Sequence, residues 1–244
     1  MSEGPEPAAA RYLRYAPLRG RILTAASRRV PLASIAQQAR ALSLWDGKRV
    51  VPGDEMQFAM VMDLGVLDPL GGHTRGIDRQ AKAEPPPPGG EEERMLAALA
   101  RAEFGLYRLL GPDPEGGAAA ERLPDGERLR IWDSYLGTRA AGELAGLRLA
   151  WPEPDLAMTC GVVVPVDSAV LRALLLGTPP SREPVLPRQA PTPDDAAAVA
   201  RLLEEPAARL RLRDLPRQPG FVARVYRAAI DRGLVGPVPG RTPG

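Results

Sequence analysis

The sequence is poor in the residues on which most recognisable active sites depend. It has one cysteine and one histidine among 244 residues, which excludes an internal disulfide framework and the multi-cysteine or paired-histidine zinc motifs. Aromatic residues make up only 5%, so we expect a core of Leu, Val and Ala. No apolar run approaches the roughly 20 residues that span a bilayer, and the acidic first residues do not resemble a signal peptide. We therefore expect a cytoplasmic protein without a metal or cofactor.

The basic residues are almost all arginines, with Lys48 and Lys82 as the exceptions among 32. They run through the whole chain and form no dense patch, so GC-rich codon usage explains them as well as anion recognition does. Basic and acidic residues are unevenly distributed along the chain. Residues 1–51 carry nine basic and three acidic side chains, whereas residues 52–186 carry 13 and 21. This asymmetry indicates either a nucleic-acid-binding end or basic flanks that pack on an acidic middle.

Residues 104–166 form the only long region with the pattern of β-structure. Four or five short apolar runs are separated by clusters of Gly, Pro and Asp, which is typical of a compact antiparallel sheet or small barrel. In the last run, alternate residues from Leu156 to Val164 share one face and place Cys160 among core side chains. A thiol in such surroundings is expected to be inert.

The flanking regions have helical spacing, so the predicted fold is α+β, with N-terminal helices, a central small antiparallel β-sheet or barrel, and C-terminal helices. Pro17 is expected to break the first helix, and Leu32 is expected to be buried with Ile35, Ala39 and Leu42 in the second. The predicted regions are disordered ends (1–8 and 233–244), an N-terminal helical region (9–66), a linker (67–90), a helix with the β-module (91–177), a Pro-rich linker (178–191) and C-terminal helices (192–232).

The third predicted helix runs from about Asp54 to Val66 and is apolar around nearly its whole circumference. Asp63 is therefore a carboxylate in an apolar run, and a buried carboxylate needs a partner. We expect an arginine from a neighbouring helix to pair with it.

Four segments of the central region carry a resemblance: Phe104-Gly-Leu-Tyr107, Gly126-Glu through Trp132-Asp133, Leu147-Arg-Leu149 and Ala157-Met-Thr-Cys-Gly-Val162. Their arrangement resembles a small β-module in uncharacterised proteins of GC-rich proteobacteria and covers about a quarter of the chain. The resemblance implies a strand, a Gly-Glu hairpin, a further strand and a closing pair of strands. It implies no reaction, cofactor or catalytic residue.

Two groups of residues are candidates for binding anions. Arg11, Arg14, Arg21 and Arg28 fall on one face of the first helix if its phase is kept, and could contact nucleic acid. The segment containing Gly72, His73 and Arg75 could hold an anion with backbone amides, although a solvent loop is the simpler interpretation.

No motif identifies an activity, because the sequence has no nucleophile elbow, phosphate-binding loop or dinucleotide fingerprint. The sequence therefore favours a non-catalytic interaction or scaffold protein that binds a protein partner. One alternative is a nucleic-acid-binding protein that uses the basic N-terminal helices. Another is a hydrolase-like enzyme that uses Asp63 or His73, which depends on whether the two share a cleft.

Overall fold

A computed structural model of the chain describes residues 6–177 and 193–235. Its helices are α1 (Ala8–Ser27), α2 (Leu32–Ala41), α3 (Glu55–Leu67), α4 (Gly76–Ala83), α5 (Glu91–Ala100), α6 (Ser168–Leu176), α7 (Pro193–Glu204), α8 (Pro206–Asp214) and α9 (Phe221–Arg232). Its strands are β1 (Glu103–Pro112), β2 (Ala118–Arg122), β3 (Arg128–Trp132), β4 (Leu144–Glu153) and β5 (Leu156–Val166). The predicted α+β fold, with helices on both sides of a central sheet in the sequence, is confirmed.

The sheet is mixed, whereas the sequence predicted a small antiparallel sheet or barrel. β1 pairs with β2 and β4, β2 pairs with β3, and β4 pairs with β5, all antiparallel. β3 and β5 run parallel, through the two residue pairs Ile131–Ala157 and Trp132–Met158. The order β1-β2-β3-β5-β4 returns to β1. An odd number of strands in a closed order cannot alternate in direction throughout, so one parallel pair is unavoidable.

The two faces of the sheet bury different side chains. One face encloses an apolar cluster of its own, and the other packs against helices, as the alternation in β5 predicted for Cys160 and its neighbours. The enclosed cluster is Tyr107, Leu109, Ala118, Ala120, Ile131, Leu136, Ala145, Leu147, Leu149 and Ala157. This separation gives the sheet a small core that is independent of the helices.

Helices from both flanks pack on the outer face of the sheet and on each other. α1, α3 and α9 all contact β5, and α5 contacts β4. α9 also contacts α2 and α3. The regions 9–66 and 192–232, which were predicted separately, thus contribute to one apolar cluster with the sheet.

Pro17 does not break α1, contrary to the sequence prediction. A proline inside a helix lacks its own N–H, so the carbonyl four residues earlier, of Leu13, loses its bond. Both residues face solvent, and Leu13 is 70% exposed. Water can therefore reach the freed carbonyl, while contacts with α4 and α5 hold the opposite side of the helix.

The prediction that Leu32 is buried is wrong, since 83% of its surface is exposed. The buried side of α2 includes Ser34 and Gln38 instead. Gln38 donates its amide to the Ser34 hydroxyl (3.3 Å) and accepts the backbone N–H of Leu70 (3.2 Å). These bonds allow a polar side chain to turn inward and leave Leu32 in solvent.

The segment 67–90, predicted as a linker, contains α4. Ile77 of this helix is fully buried, and α4 contacts α1, α3 and α5. Gly76 allows the close approach, because a Cβ there would lie 2.7 Å from the carbonyl oxygen of Ala26. The glycine-rich sequence before α4 favoured the prediction of a linker, although α4 belongs to the core.

Three sequence predictions fall wholly or partly outside the described residues. The Pro-rich linker 178–191 lies outside them, as do residues 1–5 and 236–244 of the two ends that were predicted to be disordered. Of the described parts of those ends, Ala8 begins α1, and Gly233 follows α9 in the left-handed conformation with φ 76°.

Candidate binding groove and its buried support

Asp63 joins four elements of the fold. Its Oδ2 accepts a hydrogen bond from the hydroxyl of Tyr226 on α9 (2.7 Å), and its Oδ1 accepts the backbone N–H of Val162 on β5 (3.3 Å). Arg148 of β4 places Nη2 3.8 Å from Oδ2. The expected arginine partner is present, but Arg148 lies on a strand and not on a helix. The Tyr226 hydroxyl and the Val162 amide are both closer to the Asp63 carboxyl than Arg148 is. One buried carboxyl thus links α3, α9, β4 and β5.

Gly161 makes the contact between Asp63 and β5 possible. The β4–β5 ladder shifts register here, so that a step of two residues on β4 corresponds to four on β5. Such irregularities leave residues of the longer strand outside the ladder. Gly161 has φ 79°, and a Cβ at this position would overlap Oδ1 of Asp63. Glycine therefore supplies both the left-handed backbone and the space in which the carboxyl reaches Val162.

Arg148 carries a buried charge with few bonded partners. Its guanidinium lies 5.8 Å from the ring centroid of Phe104, and Nη1 is 3.5 Å from the carbonyl of Ala102. Nε and Nη2 have no hydrogen-bond partner among the described residues. Because a buried cation is costly without compensation, the Asp63 carboxyl is its principal electrostatic partner.

Burial governs the acid–base behaviour of this cluster. Desolvation raises the pKa of Asp63 above its ordinary value, and Arg148 and the Tyr226 hydroxyl offset the change only in part. Burial also raises the pKa of Tyr226 well above its ordinary value. The pKa of Cys160, which is 2% exposed, is raised by burial to about 12. The phenol and the thiol are therefore protonated at neutral pH.

A groove of about 420 Å³ lies beside this cluster, between α1, α3 and β5. One face of α1 lines it with residues spaced four apart, which share a side of a helix. One face of α3 and the irregular part of β5 complete the walls. The lining residues are Arg19, Leu23 and Ser27 of α1; Ala59, Met62, Asp63, Val66 and Leu67 of α3; Asp133; and residues 159–163 of β5.

Thr159 connects the polar side chains at one end of the groove. Arg19 donates through Nη1 to the carbonyl oxygen of Thr159 (2.6 Å) and lies 3.3 Å from its hydroxyl. The hydroxyl donates to Oδ2 of Asp133. Asp133 also accepts the backbone N–H groups of Tyr135 (2.7 Å) and Leu136 (3.0 Å) through Oδ1. The groove therefore has a charged end fixed by several hydrogen bonds.

The groove occurs where β5 extends beyond β3. β3 ends at Trp132, and its pairing with β5 reaches no further than Met158, whereas β5 continues to Val166. Side chains of Arg19 and Asp63 bind backbone groups of β5 past this point. The helices thus protect a strand edge that β3 leaves uncovered, as an unpaired edge requires.

The walls of the groove expose apolar surface. Leu23, Met62 and Val163 line it and are each half-buried. Phe58 lies one turn before Met62 on α3 and is 46% exposed. Residues four apart on a helix are neighbours on its surface, so Phe58 extends the apolar wall of α3.

The structure places the four predicted nucleic-acid-binding arginines in different surroundings. Arg11 pairs with Asp155 (2.6 Å) and also with Glu153. Arg14 pairs with Glu91 (2.8 Å) and with a second carboxylate, Glu6. Arg21 lies 3.7 Å from Glu92. Arg28 follows the end of α1 and is exposed. Three of these side chains thus pair within the chain, in agreement with basic flanks that pack on an acidic middle.

The residues of the predicted anion-binding segment have different surroundings in the structure. Arg75 binds Asp78 through two nitrogens (2.7 and 2.8 Å) and the carbonyl of Ala100. Nε2 of His73 lies 2.9 Å from Oε1 of Gln37. Gly72 has φ 72°, in the left-handed region. His73 does not line the groove that contains Asp63, so the structure does not bring these two candidates together there.

A larger cavity of about 1000 Å³ lies among α6, α8 and α9. Its charged lining residues, among them Arg211, Arg224 and Arg227, are exposed or half-buried. Arg227 is paired with Asp231 (2.6 Å). The groove at β5 is the better candidate site because its lining includes Asp63, a buried carboxyl that two hydrogen bonds hold in place. No group of three or more His, Cys, Asp or Glu in the described residues could hold a metal ion.

Sequence reasoning did not identify Arg19, Thr159, Asp133 or Gly161. The spacing of Arg19, Leu23 and Ser27 was a usable signal, since it marks one face of α1. Gly161 was a second signal, because a glycine within an apolar strand often marks an irregularity or a close approach. The link between Thr159 and Asp133 joins a residue of β5 to the residue that follows β3, and it had no local signal.

No protein-family model, curated protein or solved structure matches this chain. Among the helices of residues 6–177 and 193–235, none is both long and apolar enough to cross a membrane. The site must therefore be interpreted from its own geometry.

Proposed function

We propose that this protein is a non-catalytic interaction protein, and that it binds a segment of a partner protein in the groove between α1, α3 and β5. The observation that carries the proposal is the apolar wall of Leu23, Met62 and Val163, which lines the groove and stays partly exposed among the described residues. Apolar side chains that line a concave surface gain free energy when a partner removes them from water.

The chemistry of the groove supports binding in preference to catalysis. Both oxygens of Asp63 accept hydrogen bonds, and its carboxyl faces Arg148. The thiol of Cys160 is protonated at neutral pH, because its pKa is about 12. A general base or nucleophile requires an accessible group with a suitable pKa. Asp63 instead holds the backbone of β5 through the Val162 N–H, and Cys160 packs in an apolar cluster.

Selection of random peptides displayed on phage against the purified protein tests the proposal. Peptides that bind should lose affinity for the variant Leu23→Glu, which puts a charge on the apolar wall. A leucine buried by its partner contributes about 1.5–3 kcal/mol, so the dissociation constant should rise by about ten- to a hundredfold.

Leu13→Glu is the matched control, because Leu13 lies on the same helix and does not line the groove. Circular dichroism and thermal unfolding must show that both variants are folded. A selection that yields no binders, or binders that both variants retain equally, would overturn the proposal.

A further inference from the structure

We infer that the segment bound in the groove carries an aspartate or glutamate, which Arg19 binds, next to a bulky apolar side chain. This inference rests on the proposed function and names the chemistry of the partner. It makes Arg19 the specificity-determining residue of the groove and gives the neighbouring apolar wall a defined role.

Arg19 differs from the arginines near it in α1. Arg11 and Arg14 pair with carboxylates of the chain. Arg19 has no carboxylate within salt-bridge distance among residues 6–177 and 193–235, and its side-chain hydrogen bonds to described residues all go to Thr159 through Nη1. Nε and Nη2 of Arg19 therefore donate to no described residue. Arg19 as a whole is half-buried and lines the groove.

The side-chain groups of Arg19 that have no partner among the described residues are donors, whereas each oxygen of the two nearby carboxyls already accepts at least one bond. Both oxygens of Asp133 already accept bonds, from the Thr159 hydroxyl and from two backbone N–H groups. Both oxygens of Asp63 are likewise occupied. Nε and Nη2 of a guanidinium form a planar pair of donors that matches the two oxygens of a carboxylate. A carboxylate is thus a ligand group that Nε and Nη2 of Arg19 can bind.

The bond between Arg19 and the Thr159 carbonyl orients this pair of donors in advance. Nη1 is fixed at 2.6 Å from a backbone oxygen of β5, so the side chain loses less freedom when a ligand binds. The same wall continues from Arg19 to Leu23, one turn further along α1. A free inorganic anion would leave this apolar part uncovered, whereas a peptide with adjacent acidic and apolar side chains would fill both.

The test uses the peptides that depend on Leu23 and combines two changes in a cycle. In the peptide, the acidic residue is replaced by its amide. In the protein, Arg19→Gln removes the charge and keeps an amide that can donate to the Thr159 carbonyl. Isothermal titration calorimetry measures all four combinations. The peptide change should weaken binding by about tenfold or more to the unaltered protein and should have almost no effect on Arg19→Gln.

Arg21→Gln is the control, since Arg21 is on the same helix but does not line the groove. It should leave the effect of the peptide change intact. If Leu23-dependent peptides lack a common acid, or if the peptide change has equal effects on the protein and on Arg19→Gln, the carboxylate inference is overturned and the groove proposal stands. If no peptide depends on Leu23, the proposed function itself fails.

Discussion

Replacing Tyr226 with phenylalanine removes one hydroxyl and tests whether Asp63 organises the fold. The hydroxyl donates to Oδ2 of Asp63 at 2.7 Å, and both groups are buried. The ring itself packs edge-on against Phe104, with centroids 5.8 Å apart. The variant keeps that packing, so its effect reports on the hydrogen bond alone.

The expected loss is set by the buried carboxyl that remains. A buried acceptor that is left without its donor costs about 1–3 kcal/mol. Asp63 would retain only the Val162 amide and the more distant Arg148. We therefore expect the free energy of unfolding to fall by about 1–3 kcal/mol. For a chain of this length, each kcal/mol lowers the melting temperature by about 2–4 °C.

Urea unfolding followed by circular dichroism measures this change at neutral pH. Tyr135→Phe is the control, because Tyr135 is 58% exposed and its hydroxyl bonds only Arg139 among the described residues. Its loss should stay within about 0.5 kcal/mol, as for most surface changes. If Tyr226→Phe is no more destabilising than this control, Asp63 does not depend on the phenol and our account of the cluster is wrong.

Four further measurements address other parts of the structure. Gly161→Ala should destabilise the protein more than Gly126→Ala, because both sites have positive φ but only the first would push a Cβ into Asp63; equal losses in urea would argue against the contact. Since the folded-state pKa of Asp63 is raised, its stabilising contribution is complete below its unfolded pKa and is lost as the pH rises through the folded value. The stability of the protein relative to Asp63→Asn should therefore increase in acid, and a pH-independent difference would contradict the shift. Iodoacetamide should modify Cys160 only after unfolding, as mass spectrometry would show, whereas rapid labelling of native protein would mean that the thiol is accessible. Because Arg11 pairs with acids of the chain, we expect no salt-sensitive binding of a labelled DNA duplex; affinity that falls steeply with salt would favour the nucleic-acid hypothesis.

The parts of the fold that could be predicted from the sequence depend on local patterns. Alternating apolar residues in β5 correctly placed Cys160 on a buried face, and the cap at Asp54 correctly marked the start of α3. Strand alternation and helix caps involve residues a few positions apart. A short stretch of sequence therefore contains all the residues that form such a pattern.

Packing overrode local signals at Pro17 and Leu32. The proline costs α1 one internal hydrogen bond, but the helix continues because its other side packs on α4 and α5. Leu32 has the spacing of a buried residue, yet bonds to Gln38 turn a polar side of α2 inward. Neither outcome follows from the residues of the helix alone.

The candidate site itself could not be predicted, because its contacts join distant parts of the chain. Sequence reasoning required an arginine for Asp63 but could not specify Arg148 or the phenol of Tyr226. Arg19 and Thr159 are separated by 140 residues. Their meeting depends on the packing of α1 against β5, which no local pattern encodes.

The bond between Asp63 and Tyr226 has a consequence for synthesis, because the two residues are 163 positions apart. During synthesis α3 is made well before α9. Asp63 therefore lacks the Tyr226 hydroxyl until α9 has been translated. Nascent chains that stop short of α9 will present uncovered apolar surface to chaperones and proteases. The fold can therefore be completed only after residue 226 has been synthesised.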